Sequence, residues 1–260
     1  MESYAGAHSP ELAIVMPVYN EAANIGSVVR EWLECFRKLD IDLLFIALND
    51  GSTDSTDRVL ADIGRELAPR FRVVNKQNSG HGRSCREGYE LALAEHIPWV
   101  FQIDSDGQCD PAFFAAFYKN RHDCDCIFGD RRTRDDGWSR TGISFACRIL
   151  LWITTGSYLR DPNVPYRLIR ASALRIALRS IPADFDLQNI ALTFALKREP
   201  HLRWKYLPIH FRARQGGENS INFRKIVKMG INLLRDFSRI SHEDSHTWRR
   251  PHWARRRVAS

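Results

Sequence analysis

Long apolar runs are what this sequence most plainly lacks. No uncharged stretch reaches the roughly eighteen residues that crossing a bilayer requires, so no membrane-spanning helix is expected. The best candidate, Ile143 to Leu159, contains Arg148 and several polar residues and reads as an amphipathic helix at most. No Cys-x-x-Cys pair occurs among the six cysteines, Cys35, Cys85, Cys109, Cys124, Cys126 and Cys147, which argues against the common zinc and dithiol motifs. Cys124 and Cys126 flank Asp125 in an expected strand, both thiols on one face, with no further zinc ligands in view. No secretory leader pattern stands at the start, so reduced thiols and a cytoplasmic location are expected.

The 260 residues, 44% hydrophobic and 27% charged, have the composition of a globular protein. A net charge of +7 favours anionic partners such as nucleotide phosphates, acidic lipid heads or nucleic acid. Residues 1–10 read as a loose tail. Leu12 to Met16 is a short apolar run closed by Pro17, the pattern of a buried parallel strand. Ile25, Val28, Val29, Trp32, Leu33 and Phe36 then follow at helical spacing. A second strand over Leu43 to Leu48 leads into a helix with Val59, Leu60, Ile63 and Leu67 on one side. A third, Phe71 to Val74, leads into a helix through Tyr89 and Leu93. Repeated strand–helix alternation predicts an α/β fold with a doubly wound, mostly parallel sheet flanked by helices.

The fourth strand, from Val100 to Ile103, ends in Asp104-Ser105-Asp106-Gly107-Gln108. A strand carries Asp104 into place, and the turn at Gly107 brings Asp106 and Gln108 round toward the same side. Three oxygen ligands at the end of a buried strand suit a hard cation, Mg²⁺ or Mn²⁺, with positions left over for phosphate oxygens. A nucleotide diphosphate is therefore the expected substrate. An ordinary polar turn would use the same residue types. What adds weight is that the polar loops at 17–21, 49–54, 77–83 and 104–108 all follow strands. In a doubly wound sheet they meet on one rim, where ligands bind.

Four segments carry a resemblance: Met16-Pro17-Val18-Tyr19-Asn20-Glu21, Asn49-Asp50-Gly51-Ser52-Thr53-Asp54, Asn78-Ser79-Gly80-His81-Gly82 and Asp104-Ser105-Asp106-Gly107-Gln108. In this order and spacing, over roughly the first 130 residues, they resemble family 2 glycosyltransferases of the Rossmann-like GT-A fold. With Gln108 after the Asp-x-Asp, the sequence looks most like the polyprenyl-phosphate transferases, such as dolichyl-phosphate mannose synthases. Phe128-Gly129-Asp130-Arg131, Arg140 with Ser144, and Pro208 to Arg214 resemble later pieces of the same group.

The resemblance implies that Pro17, Tyr19, Glu21 and Asp50 hold the nucleoside and that Ser105 lies among the substrate-binding residues. Asp104 would contact the ribose or the metal, and Asp106 with Gln108 would ligate it. Arg131, Arg140 and Ser144 would face a lipid phosphate, and Arg214 the donor diphosphate. Asn49 stands where the family usually has Asp, and Gln188 where it has Glu. The Lys often found shortly after the late Arg is absent from Gly216 to Ile221. These departures bear on donor choice and leave the Asp pair intact.

The expected activity is inverting transfer of mannose or another hexose from a nucleotide-diphosphate sugar to a polyprenyl phosphate. An ionised phosphate acceptor needs positioning by arginine more than deprotonation, whereas a hydroxyl acceptor needs a general base. Asp184 and Asp186 are the candidates for that base, though they read more readily as helix N-terminal charges. The expected layout is a GT-A domain over 1–240, ending in amphipathic helices, and a basic tail over 241–260. Residues 143–153 and 226–237 carry apolar faces suited either to an interface or to core packing. The tail from Trp248 to Arg257 mixes tryptophan with arginine. It favours peripheral contact with the cytoplasmic membrane face, and no nucleic-acid fold accompanies it. Related enzymes often carry C-terminal transmembrane helices; here the tail or a membrane-protein partner would serve instead. Two other readings stay open: a soluble transferase acting on a saccharide or protein hydroxyl, and a nucleotide-sugar binder without turnover. A phosphatase-type hydrolase would want its Asp pair after the first strand.

Overall fold

A computed structural model describes residues 9–134, 160–183, 185 and 188–213. Seven strands form one mixed sheet: β1 Leu12–Val18, β2 Leu43–Asp50, β3 Phe71–Lys76, β4 Trp99–Ile103, β5 Cys126–Arg134, β6 Tyr166–Arg170 and β7 Trp204–Phe211. Their order is β3-β2-β1-β4-β6-β5-β7. The first four are parallel, and β6 runs antiparallel to both β4 and β5. Because β6 is reversed between them, β4 and β5 point the same way, and β7 is parallel to β5. The carboxyl ends of six strands and the amino end of β6 therefore share one rim. The expected mostly parallel α/β sheet is what the chain forms.

β1, β2 and β4 are buried along their whole length, which explains their continuous apolar runs rather than alternation. Helices α1 Ile25–Lys38, α2 Thr56–Leu67 and α4 Phe114–Lys119 belong to one layer, with α1 packed on α2. Helices α3 His81–Ala94, α5 Ala171–Arg179 and α6 Gln188–Arg198 pack together in another. Under α1, Trp32 meets Phe101 at 5.5 Å and Tyr166 at 5.8 Å between ring centroids, and Phe114 lies 4.7 Å from Phe101. Rings at such distances add about 0.5–1.5 kcal/mol per pair beyond the area they bury. Helix α3 approaches β1 and β2 at Gly88, where a Cβ would stand 2.8 Å from Leu48 Cδ1.

Several element bounds differ from expectation for physical reasons. β1 runs through Pro17 to Val18, because its pairing with β4 ends at Val15 and the missing N–H falls where only β2 lies alongside. β2 continues through Asn49 and Asp50, whose side chains bond Asn75 and Lys76 on the neighbouring strand. Helix α3 begins at His81, inside the segment expected as loop. Cys124 precedes β5, so only Cys126 lies in that strand, although both thiols are buried. Among the described residues, Cys35, Cys85, Cys109, Cys124 and Cys126 are free thiols, and no helix is long and apolar enough to cross a membrane.

Candidate active site

Hydrogen bonds tie the four loops at the rim to one another, side chain to backbone among the first three and side chain to side chain to the fourth. After β1, Asn20 takes a left-handed conformation at φ 53°, which Asn tolerates better than most residues. Its N–H donates to Ser52 Oγ at 3.0 Å, and its Oδ1 accepts from the Thr53 N–H at 2.8 Å. The Glu21 N–H donates to Thr56 Oγ1 at 2.9 Å, and the Ala22 N–H to Asp54 Oδ2 at 3.2 Å. Burial opposes the charge on Asp54, but the Thr56 hydroxyl and the Thr56 and Ala22 amides outweigh it and hold the carboxyl below its ordinary range. Pro17 and Glu21 are buried here, while Tyr19 is 48% exposed.

Asp50 organises the third loop. Its Oδ1 accepts from the Ser79 N–H at 2.8 Å and from Lys76 Nζ at 3.0 Å; its Oδ2 accepts from the Gly80 N–H at 2.9 Å. Burial alone would raise its pKa, yet these donors win and lower it. Asn49 is similarly engaged, giving Nδ2 to Asn75 and accepting from the Ser52 N–H. Asn49 is thus a buried hydrogen-bonding hub, donating and accepting without carrying a charge.

The turn after β4 completes the set. Gly107, at φ 76°, permits the reversal. Asp106 Oδ1 accepts the Gln108 N–H at 3.1 Å. Asp104 Oδ1 meets His81 Nε2 at 2.9 Å. The Asp104 carboxylate beside the half-exposed His81 favours the charged imidazole and pushes its pKa well up. Ser105 and Gln108 are buried, and the Gln108 amide nitrogen donates to the Arg212 carbonyl at 3.2 Å. That bond directs the amide nitrogen to the protein and leaves the oxygen as the atom able to ligate. Among the described residues, no three His, Cys, Asp or Glu side chains form a metal site. A cation here would take Asp104, Asp106 and the Gln108 oxygen, an all-oxygen set that fits Mg²⁺ or Mn²⁺.

On the other half of the rim, Arg131 pairs through its guanidinium with both carboxylate oxygens of Asp161, and each side chain is largely buried. It is thus held by a carboxylate at the site where the resemblance placed it facing a phosphate. Arg167, absent from the expected set, is completely buried. It donates to the carbonyls of Val164 at 2.9 Å, Asn189 at 3.0 Å and Pro162 at 3.3 Å, and lies over the Phe128 ring. Sequence reasoning also gave no role to His81, Lys76, Asp161 or Arg212. Of these, His81 and Arg212 lay within segments that carried the resemblance, and Lys76 and Asp161 did not. Arg140, Ser144 and Arg214 lie outside the described residues, as do Asp184, Asp186, residues 143–153 and 226–237, and the tail with its boundary at 240.

Residues 13–178 match the family profile described as glycosyl transferase family 2. The undecaprenyl-phosphate 4-deoxy-4-formamido-L-arabinose transferase of Enterobacter sp. (strain 638) is 24% identical over 226 residues, covering 86% of this chain and 66% of that protein. Its counterpart from Sodalis glossinidius is 24% identical over 228 residues, covering 86% of this chain and 67% of the other. The chain thus spans about two thirds of the length of these relatives, slightly less in the first. Among solved structures, glucosyl-3-phosphoglycerate synthase from Mycobacterium tuberculosis, in complex with Mn²⁺, uridine diphosphate and phosphoglyceric acid, aligns with a TM-score of 0.65 at 18% identity. That alignment covers 90% of this chain and 79% of the synthase. Mannosyl-3-phosphoglycerate synthase from Rubrobacter xylanophilus aligns with a TM-score of 0.61 at 14% identity, covering 94% and 78%. Identities this low establish the shared GT-A fold and nothing finer. With the profile matched over more than half of its length and the sheet to go with it, the chain belongs to glycosyl transferase family 2.

Proposed function

We propose that the protein transfers a sugar from a nucleotide-diphosphate donor to a polyprenyl phosphate. The observation carrying this reading is the turn at the end of β4, where Asp104, Asp106 and Gln108 offer oxygen donors beside the loops of β1 and β2. The lipid acceptor is supported by the names of the relatives, which are undecaprenyl-phosphate transferases.

Each group has a role in this reading. Pro17, Tyr19 and Glu21 line the nucleoside side, and the exposed Tyr19 ring is available to stack on a base. Asp50 shapes that pocket by holding the 79–80 amides, and Ser105 lies within the donor-binding turn. Asp104, Asp106 and Gln108 hold Mg²⁺ or Mn²⁺, which when bound neutralises charge building on the departing diphosphate. Arg214 shares that task. Arg140 and Ser144 orient the acceptor phosphate, and Arg131, fixed by Asp161, contributes positive potential beside it. The acceptor oxygen attacks the anomeric carbon as the carbon–oxygen bond to the diphosphate breaks. One displacement inverts the centre. The chain works peripherally on the cytoplasmic membrane face, through its basic tail or a membrane-protein partner.

Purified protein with Mn²⁺ or Mg²⁺, undecaprenyl phosphate in detergent and a panel of labelled nucleotide sugars tests this. The panel includes mannose, other hexoses and the formamido-arabinose of the relatives' names. A labelled lipid is expected, and Asp106→Ala should lower its formation at least about a hundredfold, the scale for losing one preorganised charge-stabilising group. Label passing only to a saccharide or protein hydroxyl would overturn the lipid acceptor. Nucleotide binding with no transfer to any acceptor would overturn the activity.

A further inference from the structure

Arg212 leaves the sheet directly after Phe211, which pairs with Cys109 in an isolated antiparallel bridge. Its N–H donates to the Gln108 carbonyl at 3.1 Å, and its own carbonyl accepts the Gln108 side-chain amide at 3.2 Å. Its guanidinium divides between two carboxylates: Nη2 reaches Asp110 Oδ1 and Nη1 reaches Glu31 Oε1, each at 2.7 Å. Asp110 is fastened further, its Oδ1 accepting the Ala112 N–H at 2.9 Å and its carbonyl accepting the Tyr166 hydroxyl at 3.0 Å. The segment just past the cation-binding turn is thus pinned to β7, α1 and β6 together, with Arg212 at the crossing.

We infer that Arg212 is a positioning residue for the cation: its guanidinium holds the end of β7 against residues 108–110, and so aims the Gln108 oxygen. This rests on the cation site proposed above. Two effects of removing the charge oppose each other. Loss of a nearby positive group would by itself strengthen cation binding, because Asp104, Asp106 and Asp110 would attract the ion against one fewer positive charge. Loss of position would weaken binding, as happens when groups that orient metal ligands are removed. The geometry makes position the larger effect: the guanidinium is clamped on Glu31 and Asp110, and the main chain it holds carries both hydrogen bonds to Gln108.

The test is Mn²⁺ affinity, measured by electron paramagnetic resonance of the free ion, with thermal unfolding in parallel. Arg212→Met is expected to bind Mn²⁺ about tenfold more weakly than the unmodified protein. Arg212→Lys, which keeps the charge but loses the fork, should fall between. In a Gln108→Ala background, Arg212→Met should change affinity by less than about twofold, because the residue through which it acts is gone. Unchanged or tighter binding by Arg212→Met overturns the inference, and so does a full tenfold loss in the Gln108→Ala background. Should Arg212→Met not fold, Asp110→Ala removes the acceptor of the same contact from its other end, and wild-type affinity there is equally fatal. If the unmodified protein binds no Mn²⁺, the cation site itself falls, a result distinct from equal binding by both proteins.

Discussion

The two halves of the sheet solve the same problem with opposite charges. Across β3, β2, β1 and β4, the rim is built around carboxylates and amides held by donors: Asp50 by the Ser79 and Gly80 amides and Lys76, Asp54 by Ala22 and Thr56. Across β6, β5 and β7 it is built around cations held by acceptors. Arg131 lies on Asp161, and Arg167 among backbone carbonyls. In each half a buried charge is tolerated because its hydrogen-bonding capacity is met locally. The acidic turn after β4 stands at the seam between the two halves, where the proposed cation would sit.

The sharpest way to break this comparison is Arg167→Met. It leaves the Val164 carbonyl without its buried donor and takes a charge-assisted bond from those of Pro162 and Asn189, which keep only the Thr193 hydroxyl between them as a side-chain donor. At about 1–3 kcal/mol for each such loss, a total near 4 kcal/mol is expected as a lower midpoint in urea unfolding. A loss below about 1 kcal/mol would mean that the apolar contacts of β6 suffice without the guanidinium. Next in size is Asp50→Asn, expected to cost about 2 kcal/mol at neutral pH. The Asp50 pKa is depressed below the ordinary 3.8. Its contribution is therefore complete above that value and fades as pH falls through the lower folded one. Melting temperatures of the two proteins should converge on acidification; a constant gap would show that shape, not charge, carries the effect. Smallest is Arg30→Ala. Its 2.8 Å pair with Glu66 joins two side chains that are 60% and 50% exposed, and no measurable change in melting temperature is expected.

What was legible in the chain follows the same division. The parallel half reads directly, since strands buried on both faces are continuous apolar runs and the intervening helices have clear stripes. Only the ends slipped: Asn49 and Asp50 look like loop residues, yet their cross-strand partners Asn75 and Lys76 keep them in the ladder. The reversed strand β6 left no such trace. Arg167 and Arg170 interrupt its pattern, and arginine reads as a surface residue when Arg167 is in fact at the centre of the core. The four polar loops do reach one rim. By contrast, the Arg131–Asp161 pair joins residues 30 apart in sequence, a separation at which no local pattern tells a phosphate-facing arginine from one already engaged.

The antiparallel placement of β6 has an architectural outcome. Because β5 finishes and β6 starts at the same edge, the described chain breaks off after Arg134 and resumes at Arg160 on one side of the sheet. Arg131 and Asp161 clasp the two stretches there. That largely buried ion pair ties the end of β5 to the approach to β6 from within the sheet itself.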